Sequence, residues 1–133
     1  MFSFFKKKQE IPDFKEIKTY SQKDMYFVRT KNWTWVNKEQ IALLEKSNNQ
    51  KVKMITLEFW SQEMFLDADG EKTISEYLKV LIKQFQNDKM EVPPDLDVFM
   101  IETLTSLHKD LNAITFYNTS GQLQPEYKEP IKD

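Results

Sequence analysis

The chain has 133 residues, a formal net charge of -2, 14% aromatic and 30% charged residues; this suits one folded domain with a modest core and is too aromatic for a disordered segment. The lack of cysteine excludes disulfides, thiolate nucleophiles and Cys-ligated metal sites. Two glycines cannot build a GxGxxG or P-loop phosphate cradle, and a single histidine excludes His-rich metal centres.

Residues 1–12 are expected to form a mobile N-terminal segment. Its opening, MFSFFKKK, places apolar residues before the lysines, the reverse of a secretion signal. Met1-Phe2 lacks the glycine of a myristoylation site, and no stretch approaches the roughly 18 apolar residues of a spanning helix. No stable membrane insertion and a cytoplasmic location are therefore expected. Phe2, Phe4 and Phe5 either fold back onto the domain or touch an anionic surface weakly.

Phe14 to Tyr20 and Met25 to Thr30 read as short strands around the polar turn Ser21 to Asp24, and Trp33 to Val36 continues in extended form with both indoles on one face. Asn37 reads as a helix N-cap with Gln40 at the capping-box position, predicting a short helix through about Lys46. Val52 to Trp60 resumes strand alternation, with Ile55, Leu57 and Phe59 on one face. Met64 to Leu66 is either a returning hairpin strand or the approach to a turn at Asp67 to Gly70.

Thr73 and Glu76 form a capping box ahead of the stripe Ile74, Tyr77, Leu78, Leu81, Ile82 and Phe85, which marks a core helix ending at Asn87-Asp88. Pro93-Pro94-Asp95 starts a second core helix with Leu96, Met100, Leu104, Leu107 and Leu111 on its main face. Ala113 to Tyr117 is a last strand, and 125–133 a polar tail. The fold class is α+β: a single domain over residues 1–133 with a mainly antiparallel sheet packed on two core helices and one short helix, parallel pairing around the helices staying open.

The charge is uneven. Residues 1–40 carry nine basic and five acidic side chains, a sum of +4, and residues 41–133 carry ten and sixteen, a sum of -6. Residues 58–71 hold Glu58, Glu63, Asp67, Asp69 and Glu71 with no basic residue, and Asp95 and Asp97 open the second core helix. Nucleic-acid binding is not expected of such a surface, since phosphate contacts need clustered Lys and Arg. These seven acids are the candidate partner-binding patch, suited to steering a basic protein; the alternative is an ordinary solvated face.

Other constellations are weaker. The run from Asp67 to Glu76 resembles part of an EF-hand loop, but a start at Asp67 puts Lys72 at the glycine position and Leu78 at the final glutamate, and a start at Phe65 loses the first aspartate. A turn followed by a helix cap is expected instead, with no metal and no cofactor. His108 has no carboxylate or nucleophile on its own helical face, and Asp95 with Asp97 reads as cap chemistry rather than a glycosidase pair, so no catalytic residue is assigned and the chain is not expected to be an enzyme. Trp33, Trp35 and Trp60 are either core residues or a binding platform.

The MFSFFKKK opening, the Lys/Asn/Ile-rich composition with three alanines, and the cysteine-free α+β body with its acidic C-terminal half resemble small cytoplasmic immunity proteins of bacterial polymorphic-toxin systems. The resemblance covers the chain in style and transfers no binding residue. It implies an inhibitor that neutralises a cognate toxin domain, with specificity set by a surface patch. A phage or mobile-element structural protein and a small-ligand-binding domain using the tryptophans are the competing readings, and oligomeric state is left open.

Overall fold

Phe14, Ile17 and Tyr20 are spaced by three, and in the computed structural model, which describes residues 11–46, 49 and 51–132, all three pack on the core in and beside a short helix, α1 (Glu16–Thr19), where aromatic and β-branched enrichment predicts a strand. A carboxylate oxygen of Asp97 accepts the Ile17 N–H at 3.0 Å and holds α1 against the rest of the chain. Residues 1–10, with the expected fold-back of Phe2, Phe4 and Phe5, lie outside the described residues.

β1 (Tyr26–Arg29) is central in a three-stranded sheet between β5 (Asp69–Thr73) and β6 (Ile114–Tyr117), antiparallel to both. β2 (Trp33–Trp35), β3 (Ile41–Lys46) and β4 (Val52–Thr56) form a second antiparallel sheet in that order. The helix predicted from Asn37 is therefore absent. Asn37 does accept the N–H groups of Glu39 and Gln40, at 2.8 and 2.9 Å, but these bonds close the β2–β3 hairpin. β3 is the central strand and Ile41, Ala42 and Leu43 are fully buried, so its apolar run lacks the alternation that identifies a half-buried strand.

The strand predicted through Trp60 stops at Thr56, and α2 (Phe59–Asp67) replaces both its end and the expected Met64 to Leu66 segment. Gln62, buried in α2, accepts the Ile41 N–H and donates to the Glu39 carbonyl, both at 2.8 Å, which pins the helix to the β2–β3 turn. The turn expected at Asp67 to Gly70 is instead the entry to β5. Gly70 sits there at φ +80, where the β1–β5 register shifts, and a Cβ at this position would meet Val28 Cγ2 at 2.9 Å.

Both predicted core helices form, with Phe85 and Leu111, the last members of the two predicted stripes, only half-buried. α3 (Ile74–Asn87) has the reciprocal Thr73–Glu76 capping box and buries Ile74, Tyr77, Leu78, Leu81 and Ile82. α4 (Leu96–Thr105) buries Met100 and Leu104 and continues into a π-helical turn (Ser106–Asp110) that buries Leu107. Together with Phe27, Phe65 and Ile114 these side chains make one hydrophobic core in an α+β molecule.

The segment expected to be a polar tail is docked. It forms α5 (Pro125–Lys128) and then lies beside β2, with the Ile131 N–H donating to the Trp33 carbonyl at 2.8 Å and Thr34 Oγ1 donating to the Ile131 carbonyl at 2.9 Å. Arg29 fastens it. This guanidinium is buried and donates to the carbonyls of Leu66, Ala68, Tyr127 and Lys128 at 2.8 to 3.4 Å, joining the C-terminal end of α2 to that of α5. Burial pulls its pKa below the ordinary value, against the opposing charges of Asp69, Glu129 and Asp67.

Candidate functional site

The seven predicted acids do not converge. Asp97 is 2% exposed: one carboxylate oxygen accepts the Ile17 N–H and the other the Val98 N–H at 2.9 Å, so it is a structural bond between α1 and α4 and no part of a docking patch. Asp67 is exposed at the end of α2, where it accepts the Tyr77 hydroxyl at 2.7 Å. Burial first, then the Asp67 charge and this bond, push the Tyr77 phenol far above its ordinary pKa. Asp69 accepts the Glu71 N–H at 2.9 Å within β5, so the run from Asp67 to Glu76, expected to be a turn and a helix cap, is a strand and a helix cap.

Glu58 lies at the opposite end of α2, and Glu63 in its middle, one turn before Asp67. Glu58 occupies the N-cap position, exposed, and accepts from Ser61 Oγ at 3.3 Å. The helical rise from Glu58 to Asp67 is about 13 Å. The predicted patch is therefore strung out: Asp67, Asp69 and Glu71 lie at or beside β5, Glu58 at the start of α2, and Glu63 between them, beside a feature that the charge pattern did not reveal.

That feature is a cleft of about 490 Å³ between α2 and the last turn of α3. Phe59, Trp60 and Glu63 line it from α2, Phe85 and Asp88 from the end of α3, and Met90 from just beyond. Its wall is aromatic: Trp60 stacks on Phe85 with centroids 5.9 Å apart and planes at 15°, and meets Phe59 and Phe99 edge-on at 5.3 and 6.0 Å. A smaller cavity of about 220 Å³ adjoins it through Trp60 and Phe85 and reaches Asp95 at the N-cap position of α4. A broader one of about 750 Å³ adjoins it through Phe59 and Glu63 and reaches Trp35.

Apolar groups are unusually open along this line. Phe59 is 64% exposed, Met90 53% and Trp35 45%, so the strip runs over three elements without a cover among the described residues. The chain reaches it by a left-handed turn: Lys89 has φ 58, and the Met90 N–H returns to the Phe85 carbonyl at 2.9 Å, which sets Met90 over the end of α3.

Glu63 has its pKa raised by burial and by the charge of Asp67. It makes no hydrogen bond or ion pair among the described residues, and neither does the carboxylate of Asp88. No Lys or Arg lines the 490 Å³ or the 220 Å³ cavity.

The three tryptophans divide between the two roles open to them. Trp33 is core, 5% exposed, its Nε1–H donating to the Tyr127 carbonyl at 3.0 Å. Trp35 touches it edge-on at 5.9 Å, on the same side of β2, and is half in solvent. Trp60 is the half-buried centre of the cleft wall.

Sequence reasoning missed the role of Phe59, assigned to one face of a strand, of Phe85, placed in the core stripe of α3, and of Asp88, read as the stop of that helix, and gave Met90 no role. His108 is held structurally. Its Nδ1–H donates to the Ile114 carbonyl at 2.9 Å and its ring lies 4.7 Å from that of Phe116. Among the described residues no group of three or more His, Cys, Asp or Glu is arranged to hold a metal ion, and no helix is long and apolar enough to cross a membrane. Comparison with protein-family models, curated proteins and solved structures found no match to the chain.

Proposed function

We propose that the chain is a non-catalytic protein-binding module of the immunity type, which works in the cytoplasm by holding a cognate bacterial toxin domain. The observation that carries this reading is the strip of exposed Trp35, Phe59 and Met90 and half-buried Trp60 and Phe85, with Glu39, Glu63, Asp88 and Asp95 along it and Lys38 at its Trp35 end. Aromatic residues and methionine are the side chains enriched at the centre of protein interfaces, and acids at the border steer a basic partner. The resemblance in composition supports the same class.

The cleft volume favours one second reading, a small-ligand site, because about 300 to 1,000 Å³ is the usual range for such pockets. The two differ in footprint. A protein partner covers Trp35 and Met90 at the two ends, whereas a small ligand covers Trp60 and Phe85 alone.

The test is co-expression with the toxin domain of a large secreted protein encoded beside this chain. We expect rescue of growth, a stable complex, hydrogen-exchange protection reaching from Trp35 to Met90, and weakening by about 30-fold or more on Phe59→Ala. A neighbouring toxin that is neither bound nor neutralised, or the lack of any such neighbour, would overturn the immunity reading.

A further inference from the structure

The cleft has a chemical bias that a generic interface does not need. Its wall is aromatic, and a π face attracts a cation through the ring quadrupole. Two of its residues, Glu63 on α2 and Asp88 at the C-cap of α3, are carboxylates without partners among the described residues. The last turn of α3 carries no basic residue, so the negative end of the helix dipole is not neutralised from within that turn. No Lys or Arg lines the cleft, so its lining carboxylates and the helix end share one sign, and Lys89, next to Asp88 in the chain, lies outside the lining.

We infer that the cleft between α2 and the end of α3 receives an arginine side chain of a basic protein partner, with the guanidinium lying on the Trp60–Phe85 wall and its edges donating to Glu63 and Asp88. The inference rests on the reading of the chain as a protein-binding module and names the chemistry of its partner.

Arginine fits better than lysine for two reasons. Its planar head keeps a face for ring stacking while five N–H groups at the edge remain free to donate, and here the carboxylates come from two different elements flanking an aromatic wall. It is also more weakly hydrated than an ammonium, so it loses less on entering a half-buried, apolar-walled site. The cleft volume of about 490 Å³ admits the whole side chain, with the Phe59 and Met90 surfaces left for its methylene stem and neighbouring residues.

The test uses the full chain, isotope-labelled, titrated by NMR with three blocked pentapeptides, Gly-Gly-X-Gly-Gly, in which X is arginine, lysine or citrulline. Citrulline keeps the shape of arginine and lacks its charge. We expect saturable shifts of the Trp60 indole N–H and of the Asn87 and Asp88 amides with the arginine peptide, and binding about tenfold weaker or less with citrulline. Glu63→Gln with Asp88→Asn should abolish the difference between the two peptides without lowering the melting temperature. Trp60→Leu, which keeps an apolar wall and removes the π face, should weaken arginine more than lysine.

Equal binding of arginine and citrulline, shifts mapping elsewhere, or no saturation by about 10 mM peptide, the scale of a contact too weak to orient a partner, would overturn the proposal. A lysine preference would overturn the choice of guanidinium. The two proposals fail separately: a neutralised toxin whose affinity is unchanged by Glu63→Gln with Asp88→Asn removes the arginine cleft and leaves the immunity function, whereas arginine-selective shifts in a chain that binds no neighbouring toxin do the reverse.

Discussion

Glu63 shows how one side chain can be unfavourable for folding and useful on a surface. Burial and Asp67 raise its pKa, so the folded state binds its proton more tightly than the unfolded chain does. The sign follows. Below the ordinary carboxylate range both states are protonated and the group is neutral in its effect; as pH rises through the raised pKa the folded state acquires a penalty that stays at neutral pH. Glu63→Gln should therefore raise the urea midpoint at pH 7, with a gain that shrinks on acidification and vanishes below about pH 4. A gain independent of pH would show that charge is not its cause.

At the scale of elements, what the sequence exposes is local chemistry, and what it hides is which partner completes that chemistry. Lys89 closes α3 in the left-handed region, a conformation that costs a non-glycine residue about 1 to 2 kcal/mol. Lys89→Gly should stabilise the protein by about 0.5 to 1 kcal/mol, the remainder being lost to the freer unfolded chain and the missing charge at the helix end. Chemical denaturation checks this, and an unchanged midpoint would mean that the turn is held by something other than backbone preference.

The same helix was the most legible element, because Thr73, Glu76 and the apolar stripe all state one answer. Asn37 was misread because an Asx side chain accepts the same two N–H groups in a hairpin as at a helix start, and only the pairing of Leu43 with Trp33 and Ile55 decides between them. β5, Asp69 to Thr73, has no large apolar residue at all and exists through backbone pairing with β1. The cleft was illegible for a related reason. Phe59 and Trp60 read as the end of a strand until the backbone turns into α2, and their meeting with Phe85 and Met90 is a tertiary fact.

Across the whole molecule, the two sheets and α2 share one fastening point. Arg29 leaves β1, in the first sheet, and reaches carbonyls at the end of α2 and in the segment that flanks the second sheet. Arg29→Ala would leave those carbonyls without their donor and should cost about 2 to 4 kcal/mol. It should also speed proteolysis within 125–132 more than elsewhere, since that segment loses the bonds to Tyr127 and Lys128 first. Uniform protease sensitivity along the chain would place the loss in the core instead.

The docking of 125–132 has a temporal side. Ribosomes deliver a chain in order, and this segment leaves the exit tunnel after every group it touches: Arg29, Trp33 and Thr34 are made roughly a hundred residues earlier. Until then the β2 edge lacks its neighbour, the Trp33 indole lacks its acceptor and the Arg29 guanidinium lacks half of its carbonyls. A nascent chain stalled short of residue 125 thus displays an open strand edge and a cation short of acceptors, features that chaperones and proteases recognise, and delivery of 125–132 converts a vulnerable intermediate into a closed one.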